Sequence, residues 1–545
     1  MPSGAMVAAA TVAVLVPLFA NLGAIGLIGP DETRYVWIAR AMAETGDWVT
    51  PRLYGVPWFE KPALYYWAAA IGFKLNLPAE WAARLPSAFA ALAAAAAIGW
   101  FAWRYYAAGK EFSSGAALIA PVMFSTSVAA IGFARAATPD MLFSAAIALA
   151  MICAASVLRR AGAWPGSDGA RVERPAGDLA ALTLWGVFLG LGVLAKGPAA
   201  VILAGGAVGL WALATSKWRA AIRLAHPQAI AACCITALPW YALCARRNPE
   251  FLHVFIFQHN FERYLTPIFQ HVQPFWFFGP ITIVALLPWS VLLIAVAQEG
   301  WRAWREKSWR NSPGFFAGCW AVFPILFFSF SQSKLPSYIL PAVPALALLM
   351  AISAERAFQR SRTNALTLSA GTGVVWFTLA AVFRHAAHKG PFAEIGGVVP
   401  QLAATAMGIA IVGAGLLCFA GFRRDFRLAV TVCALCVIVA LETANIQVLP
   451  PLDPYLSARA HAAFLRNDLH PERIFTFELR RTWDYGLAFY FHRELPEWSL
   501  EDPEPALVLT SGAGYEAIVR AGRFRGDLEQ PERGVIYVPI EPAPR

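Results

Sequence analysis

Between two long apolar runs the chain carries Asp31-Glu32-Thr33-Arg34-Tyr35, then Gly46-Asp47-Trp48, then Phe59-Glu60-Lys61-Pro62. Acids, bases and aromatics at this density exceed what a loop joining two membrane helices requires. Carboxylates can accept or orient a proton and steady a developing positive charge, and Lys and Arg can neutralise a departing phosphate. The same kinds of group recur beside later apolar runs. Arg135 and Asp140 lie in Ala134-Arg135-Ala136-Ala137-Thr138-Pro139-Asp140, and Lys196 in Ala195-Lys196-Gly197-Pro198. His259 and Arg263 follow in the 246–274 loop, and Lys334 and Tyr338 in Ser333-Lys334-Leu335-Pro336-Ser337-Tyr338. The set suits acid–base and phosphate chemistry held against a bilayer.

The elements that position these residues are set by composition. Of 545 residues 58% are hydrophobic and only 14% charged, against about a quarter charged in soluble domains. Mean hydropathy is +0.53. About thirteen runs are long enough to span a hydrocarbon core of about 30 Å. They lie near 7–29, 85–103, 113–131, 141–158, 179–195, 199–215, 228–245, 275–297, 314–330, 338–354, 365–383, 400–421 and 428–447. The expected fold is an all-α polytopic membrane protein with a small C-terminal α/β domain. Residues 1–447 form the membrane domain, with a loop at 30–84, and 448–545 the soluble tail. The first run lacks a basic n-region and reads as a retained helix. Lys196-Gly197-Pro198 reads as the turn of a helical hairpin.

Orientation follows from loop charge. One alternate set of loops is rich in Lys and Arg, including Arg159, Arg160, Lys217, Arg219, Arg305, Arg310, Arg360 and Arg424. By the positive-inside rule these face the cytoplasm. The N-terminus is then inside, and the Asp31–Lys61 loop and the tail lie on the far side. The same rule accounts for the net charge of +10 without nucleic acid. The eight cysteines fall in or beside apolar runs and read as packing residues, Cys433 and Cys436 included. In the tail, the runs at 473–477, 506–510 and 534–538 read as strands among helical stretches, an accessory α/β unit. Inside the first loop, Tyr35, Ile38, Ala39 and Met42 recur on one helical face, which predicts an interfacial helix with its apolar side in lipid. Asp31 or Glu32 then sits at its N-terminal end, where the dipole favours a carboxylate.

Each residue also has a plainer role. Asp31 can serve only as an N-cap, Lys61 can snorkel to the headgroups, and His259 can contact headgroups as readily as a metal. Trp58, Phe59, Tyr65, Tyr66 and Trp67 fit an interfacial aromatic belt. Lys196 is harder to reduce in this way, because an ionisable group at the end of a spanning helix points to function. The joint pattern carries the functional reading.

The motifs of the first loop, together with Ala195-Lys196-Gly197-Pro198 and Lys334-Leu335-Pro336-Ser337-Tyr338, resemble the polyprenyl-phosphate-sugar-dependent membrane glycosyltransferases of the C fold. The nearest branch is the lipid A aminoarabinose transferases. The resemblance runs in order through the spanning region. It implies transfer of a sugar from undecaprenyl phosphate to a lipid A phosphate at the periplasmic face of a bacterial inner membrane. It implies Asp31, Asp140 and Glu32 as catalytic acids. Arg34, Tyr35, Lys61, Arg135, Lys196, Arg263, Lys334 and Tyr338 would bind the donor phosphate and substrate. Glu60 and His259 would form a divalent-metal site for Zn or Mg/Mn, with no organic cofactor. The implied partners are the donor lipid, lipid A or another acceptor, and the bilayer. The Arg135…Asp140 wording is closer to the general family, which leaves sugar and acceptor open.

Two other classes stand beside this one. A transporter would place its ionisable groups at mid-membrane and often show inverted repeats; here they gather at helix ends on one side. A non-catalytic scaffold would leave them idle. Within the enzyme class, a polyprenyl-phosphate-mannose-dependent protein O-mannosyltransferase is the alternative.

Overall fold

Eight helices are long and apolar enough to cross a membrane, or up to ten if two bent pairs each count as one span. The chain is a multi-pass membrane protein. The structure, a computed structural model, describes residues 3–106, 115–164, 175–266, 272–389, 392, 398–466, 473–502, 504–524 and 534–540. The apolar runs read from sequence lie on helices, but the count of spans differs for two physical reasons. Three of the helices, Gly4–Phe19, Ala199–Thr215 and Pro313–Ser329, have only 16 or 17 residues. At about 1.5 Å per residue they fall short of a hydrocarbon core of about 30 Å. Two other runs are broken, Ala116–Ser125 from Val128–Ala134 by a 64° bend and Phe275–Ala285 from Ser290–Arg305 by 117°.

We label the helices that build the site α1 (Gly4–Phe19), α2 (Gly29–Thr45), α3 (Leu64–Lys74), α4 (Ala79–Tyr105), α5 (Ala116–Ser125), α6 (Val128–Ala134), α7 (Asp140–Arg160), α8 (Pro175–Lys196) and α9 (Ala199–Thr215). The first loop is thus two helices, α2 and α3. A two-residue hairpin, β1 (Arg52–Leu53) with β2 (Val56–Pro57), lies between them. Asp31 and Glu32 occupy the first turn of α2, as the dipole favours, and Gly46 closes the helix at φ +73°. The apolar face of α2 does not lie in lipid. Tyr35, Ile38, Ala39 and Met42 are all buried within the protein. Tyr35 meets Tyr65 and Tyr66 of α3 with ring centroids 6.2 and 6.1 Å apart. Helical period reveals which face is apolar; what covers that face is decided by chain returning from far away.

Part of that cover is the tail, which contains a three-stranded sheet, β3 (Ile474–Phe477), β4 (Ala506–Thr510) and β5 (Ile536–Ile540). β3 pairs parallel with β4 and β4 antiparallel with β5. The tail packs against the start of the chain and the first loop. Asp453 accepts from the Gly26 N–H at 2.7 Å, and the Tyr490 hydroxyl accepts from the Leu27 N–H at 2.9 Å. Arg459 donates to the Gly23 and Ala24 carbonyls, and Arg40 on α2 donates to the Phe489 carbonyl at 2.9 Å. The tail therefore clamps the segment that leads into Asp31.

Candidate active site

Helix ends bring the chemistry together. α7 begins at Asp140, α8 ends at Lys196, and Gly197 at φ +94° turns the chain into α9. That left-handed turn is open to glycine without strain. The Pro336–Arg360 span starts at Pro336, so Tyr338 sits in its first turn. These ends and the first loop enclose a cavity of about 540 Å³. Asp31, Tyr35, Glu60, Lys61, Asp140, Lys196, His259 and Tyr338 line it. Its remaining wall is largely apolar, with Phe133, Phe143, Phe255, Phe327 and Phe328. The basic helix ends lie away from it: Arg159 and Arg160 close α7 at its other end, and Arg360 closes the Pro336–Arg360 span.

Two charge clusters meet in the cavity. In the first, the Lys196 ammonium pairs with Asp140, and Ser337 hydrogen-bonds the same carboxylate. Lys196 Nζ also stands 5.2 Å from the Tyr338 ring centroid and 5.8 Å from that of Phe143. An ammonium held by one carboxylate and two ring faces is fixed in place for an incoming anion. In the second cluster, Glu60 accepts from Lys61 Nζ at 3.1 Å and the Tyr35 hydroxyl at 3.4 Å, and it is ion-paired with Arg34 Nη1 at 3.3 Å. Arg34 also pairs with Asp31 and lies between Trp58 and Tyr485, 5.4 and 5.7 Å from their centroids. Burial would raise the Glu60 pKa, but Lys61 and Arg34, with a smaller share from His259, hold it down to about 2. Burial likewise works against the Arg34 charge, and Glu60 and Asp31 outweigh it, so its pKa is raised.

A carboxylate with a depressed folded pKa adds stability at pH values above its unfolded value, and that stability is lost as pH falls through the folded one. Glu60 therefore stays ionised and keeps its partners from neutral pH down to about pH 2. An acid limb between pH 4 and 6 in the activity profile, traced to Glu60 by its loss in Glu60→Gln, would contradict this arrangement.

The other residues singled out from sequence lie elsewhere. Glu32, read as catalytic, points into the protein, 7% exposed. It accepts from Arg84 Nη2 at 3.1 Å and from the Ile28 and Ala137 N–H groups at 2.7 Å each. It is not among the described residues that line the cavity. Arg135 donates to the Ala20 and Asn21 carbonyls and to Asn445. Lys334 is buried and donates to the Gln273 and Ser331 carbonyls. Both pin backbone instead of facing the cavity, because a buried carbonyl needs a donor as much as a substrate does. The Arg263 side chain lies outside the described residues. Sequence reading passed over Arg84, whose guanidinium gathers the Leu22, Ile25 and Gly26 carbonyls at 2.7 Å each. A lone Arg immediately before the apolar run at 85–103 was the available signal.

Glu60 and His259 do line one cavity, but Glu60 already carries Lys61, Arg34 and Tyr35 on its oxygens. Among the described residues no three His, Cys, Asp or Glu side chains gather as ligands. Glu60 and His259 are the side chains that would hold a divalent cation, and a third ligand is not found among the described residues.

Known proteins give independent comparisons. Residues 8–255 match the family described as Dolichyl-phosphate-mannose-protein mannosyltransferase. The undecaprenyl phosphate-alpha-4-amino-4-deoxy-L-arabinose arabinosyl transferase 1 of Sodalis glossinidius is 31% identical over 414 residues, 75% of this chain and 69% of that protein. The transferase of Edwardsiella ictaluri is 32% identical over 60% of this chain, and the match spans only 55% of that relative's length. Among solved structures, ArnT from Cupriavidus metallidurans bound to undecaprenyl phosphate superposes with a TM-score of 0.78 at 23% identity, over 99% of this chain and 98% of that one. Its apo state gives 0.74. The two proteins share a fold.

Proposed function

The chain belongs to the family of the undecaprenyl phosphate-alpha-4-amino-4-deoxy-L-arabinose arabinosyl transferases, and on that premise we propose that its cavity transfers 4-amino-4-deoxy-L-arabinose from undecaprenyl phosphate to a lipid A phosphate. The observation that carries this reading is the convergence of Lys196, Lys61, Asp140, Asp31 and Tyr338 on one cavity with an apolar aromatic wall. The wall suits a prenyl chain, and the cations suit its phosphate. The proposed setting is a bacterial inner membrane, with about thirteen membrane-crossing segments if the short and bent helices cross too. The N-terminus is then cytoplasmic, and the tail and cavity face the periplasm.

In the proposed reaction the bond between the sugar anomeric carbon and the donor phosphate oxygen breaks, and its electron pair leaves with undecaprenyl phosphate. Lys196 and Lys61 stabilise that leaving charge in a site shielded from water. The anomeric carbon gains oxocarbenium character, which a nearby carboxylate steadies. An oxygen of the acceptor phosphate attacks from the opposite face, forming the new bond with inversion. Asp140 holds Lys196 in position, and Tyr35 and Arg34 hold Glu60 and Asp31.

Asp31 discriminates between acceptors. A phosphate acceptor is already anionic at neutral pH and has no proton to surrender, so Asp31 orients it or the sugar amine. A hydroxyl acceptor needs a base, and losing one costs about 10²–10⁴-fold. The match to the protein mannosyltransferase family keeps a hydroxyl acceptor as a second reading. The test supplies membranes bearing wild type or Asp31→Asn with undecaprenyl-phosphate aminoarabinose and lipid A. A pentosamine mass added to lipid A phosphate is the expected result, with Asp31→Asn losing less than the roughly 10² minimum for removal of a base. Label appearing on protein instead would favour the second reading. Chelation tests the metal reading: a loss of transfer with EDTA that Zn, Mg or Mn reverses would give Glu60 and His259 the ligand role, and full transfer in EDTA would leave Glu60 to Lys61 and Arg34 alone.

A further inference from the structure

We propose that a second pocket, on the face of α2 turned away from the cavity, binds the phosphate of a lipid headgroup. Arg40 follows Asp31 by nine residues. At about 100° per residue this places it roughly half a turn round the helix and about 13 Å along it, so α2 itself separates the two sites. The pocket encloses about 480 Å³ and is lined by Arg40, Glu44, Phe73, Lys74, Asn76 and His492, among others.

Arg40 is the reason to expect an anion. It is only 8% exposed, yet it lines the pocket. Nη1 donates to the Phe489 carbonyl at 2.9 Å, and the guanidinium carbon stands 3.6 Å from the Phe489 centroid and 5.5 Å from that of Phe73. No described carboxylate lies within ion-pair distance of it. A guanidinium offers five donors, so most of its N–H groups remain for a ligand. Burial lowers its pKa to about 10, which leaves it charged at neutral pH. A buried charge with no carboxylate at ion-pair distance is costly, and the planar fork of Arg fits phosphate oxygens two at a time.

The surroundings favour a lipid as the source. Lys74, exposed at the end of α3, adds a second cation. Glu44 opposes with one negative charge, and burial together with Arg40 lowers the His492 pKa. Two cations thus face one carboxylate on the pocket wall, and Glu80, paired with Arg459, also acts on Arg40. Beside Lys74, Ile71 and Leu75 are 54% and 67% exposed, an apolar strip on which acyl chains can lie. The inference does not depend on the proposed transfer reaction.

The test titrates the purified full chain in detergent with dihexanoyl phosphatidic acid, dihexanoylglycerol and inorganic phosphate, by calorimetry. Wild type, Arg40→Gln, Lys74→Gln and Lys196→Met are compared, each with its thermal unfolding curve. Phosphatidic acid is expected to bind, dihexanoylglycerol not, and both Arg40→Gln and Lys74→Gln to weaken binding about tenfold, the loss of one charge-assisted contact. Lys196→Met should leave this binding intact. Inorganic phosphate binding as tightly as the lipid would support the phosphate site and make free phosphate its source. Equal binding by wild type and Lys74→Gln, or a loss confined to Lys196→Met, would overturn the proposal. If Arg40→Gln unfolds, the exposed Lys74→Gln decides alone.

Discussion

Lys196→Met is expected to lower transfer by about 10²–10³-fold, the range seen when one preorganised electrostatic donor is removed from a shielded site. The side chain closes α8 at the cavity, is paired with Asp140 and rests against the Tyr338 and Phe143 rings. Its loss removes a fixed positive charge from where the donor phosphate would sit. It also strands the partly buried Asp140 carboxylate, and breaking a shielded pair from one side destabilises by itself. The double variant Lys196→Met with Asp140→Asn separates the two effects. It should recover the thermal stability lost in Lys196→Met and recover none of the transfer. The checks are kcat/KM with undecaprenyl-phosphate sugar and unfolding temperature in detergent. Wild-type transfer by Lys196→Met would remove Lys196 from the reaction.

Arg84→Ala is expected to cost about 3–5 kcal/mol of stability, the range for breaking a buried ion pair from one side. Arg84 and Glu32 have side chains only 3% and 9% exposed. Between them they satisfy the Leu22, Ile25 and Gly26 carbonyls and the Ile28 and Ala137 N–H groups. Those groups belong to the segment entering α2 and to the approach to α7, so Asp31 and Asp140 are placed by one buried pair. Glu32→Gln should fall in the same direction, lowering unfolding temperature and transfer together. A Glu32→Gln protein with wild-type stability and no transfer would restore Glu32 to a catalytic role.

Adjacent Asp31 and Glu32 show what a linear pattern leaves open. Both are acidic, and both lie in the first turn of α2. At about 100° apart on the helix, one faces the cavity and the other faces Arg84. The same holds for the cations. Lys196 and Lys61 line the cavity, while Arg135 and Lys334 bind backbone carbonyls. Residue type marks all of them as groups that need a partner inside or beside a membrane, but it does not say whether that partner is a substrate or a carbonyl. The tail's part in the site was the least visible. Tyr485 over Arg34 and Asp453 on the Gly26 N–H join residues more than 400 positions apart.

What the sequence determined by itself is whatever depends on local period, composition and turn chemistry. These are the multi-pass helical architecture, the helix at the head of the first loop with its acidic first turn, and the break at Gly197-Pro198. They follow from hydropathy and backbone preference over a few turns, and distant chain cannot change them. Tertiary structure alone decided which helices are straight and long enough to span, and that protein, not lipid, covers the apolar face of α2. It also decided which charges face the cavity and which hold backbone. Those outcomes depend on pairings between distant segments, and a buried ion finds its energy minimum only when the partner's position is known.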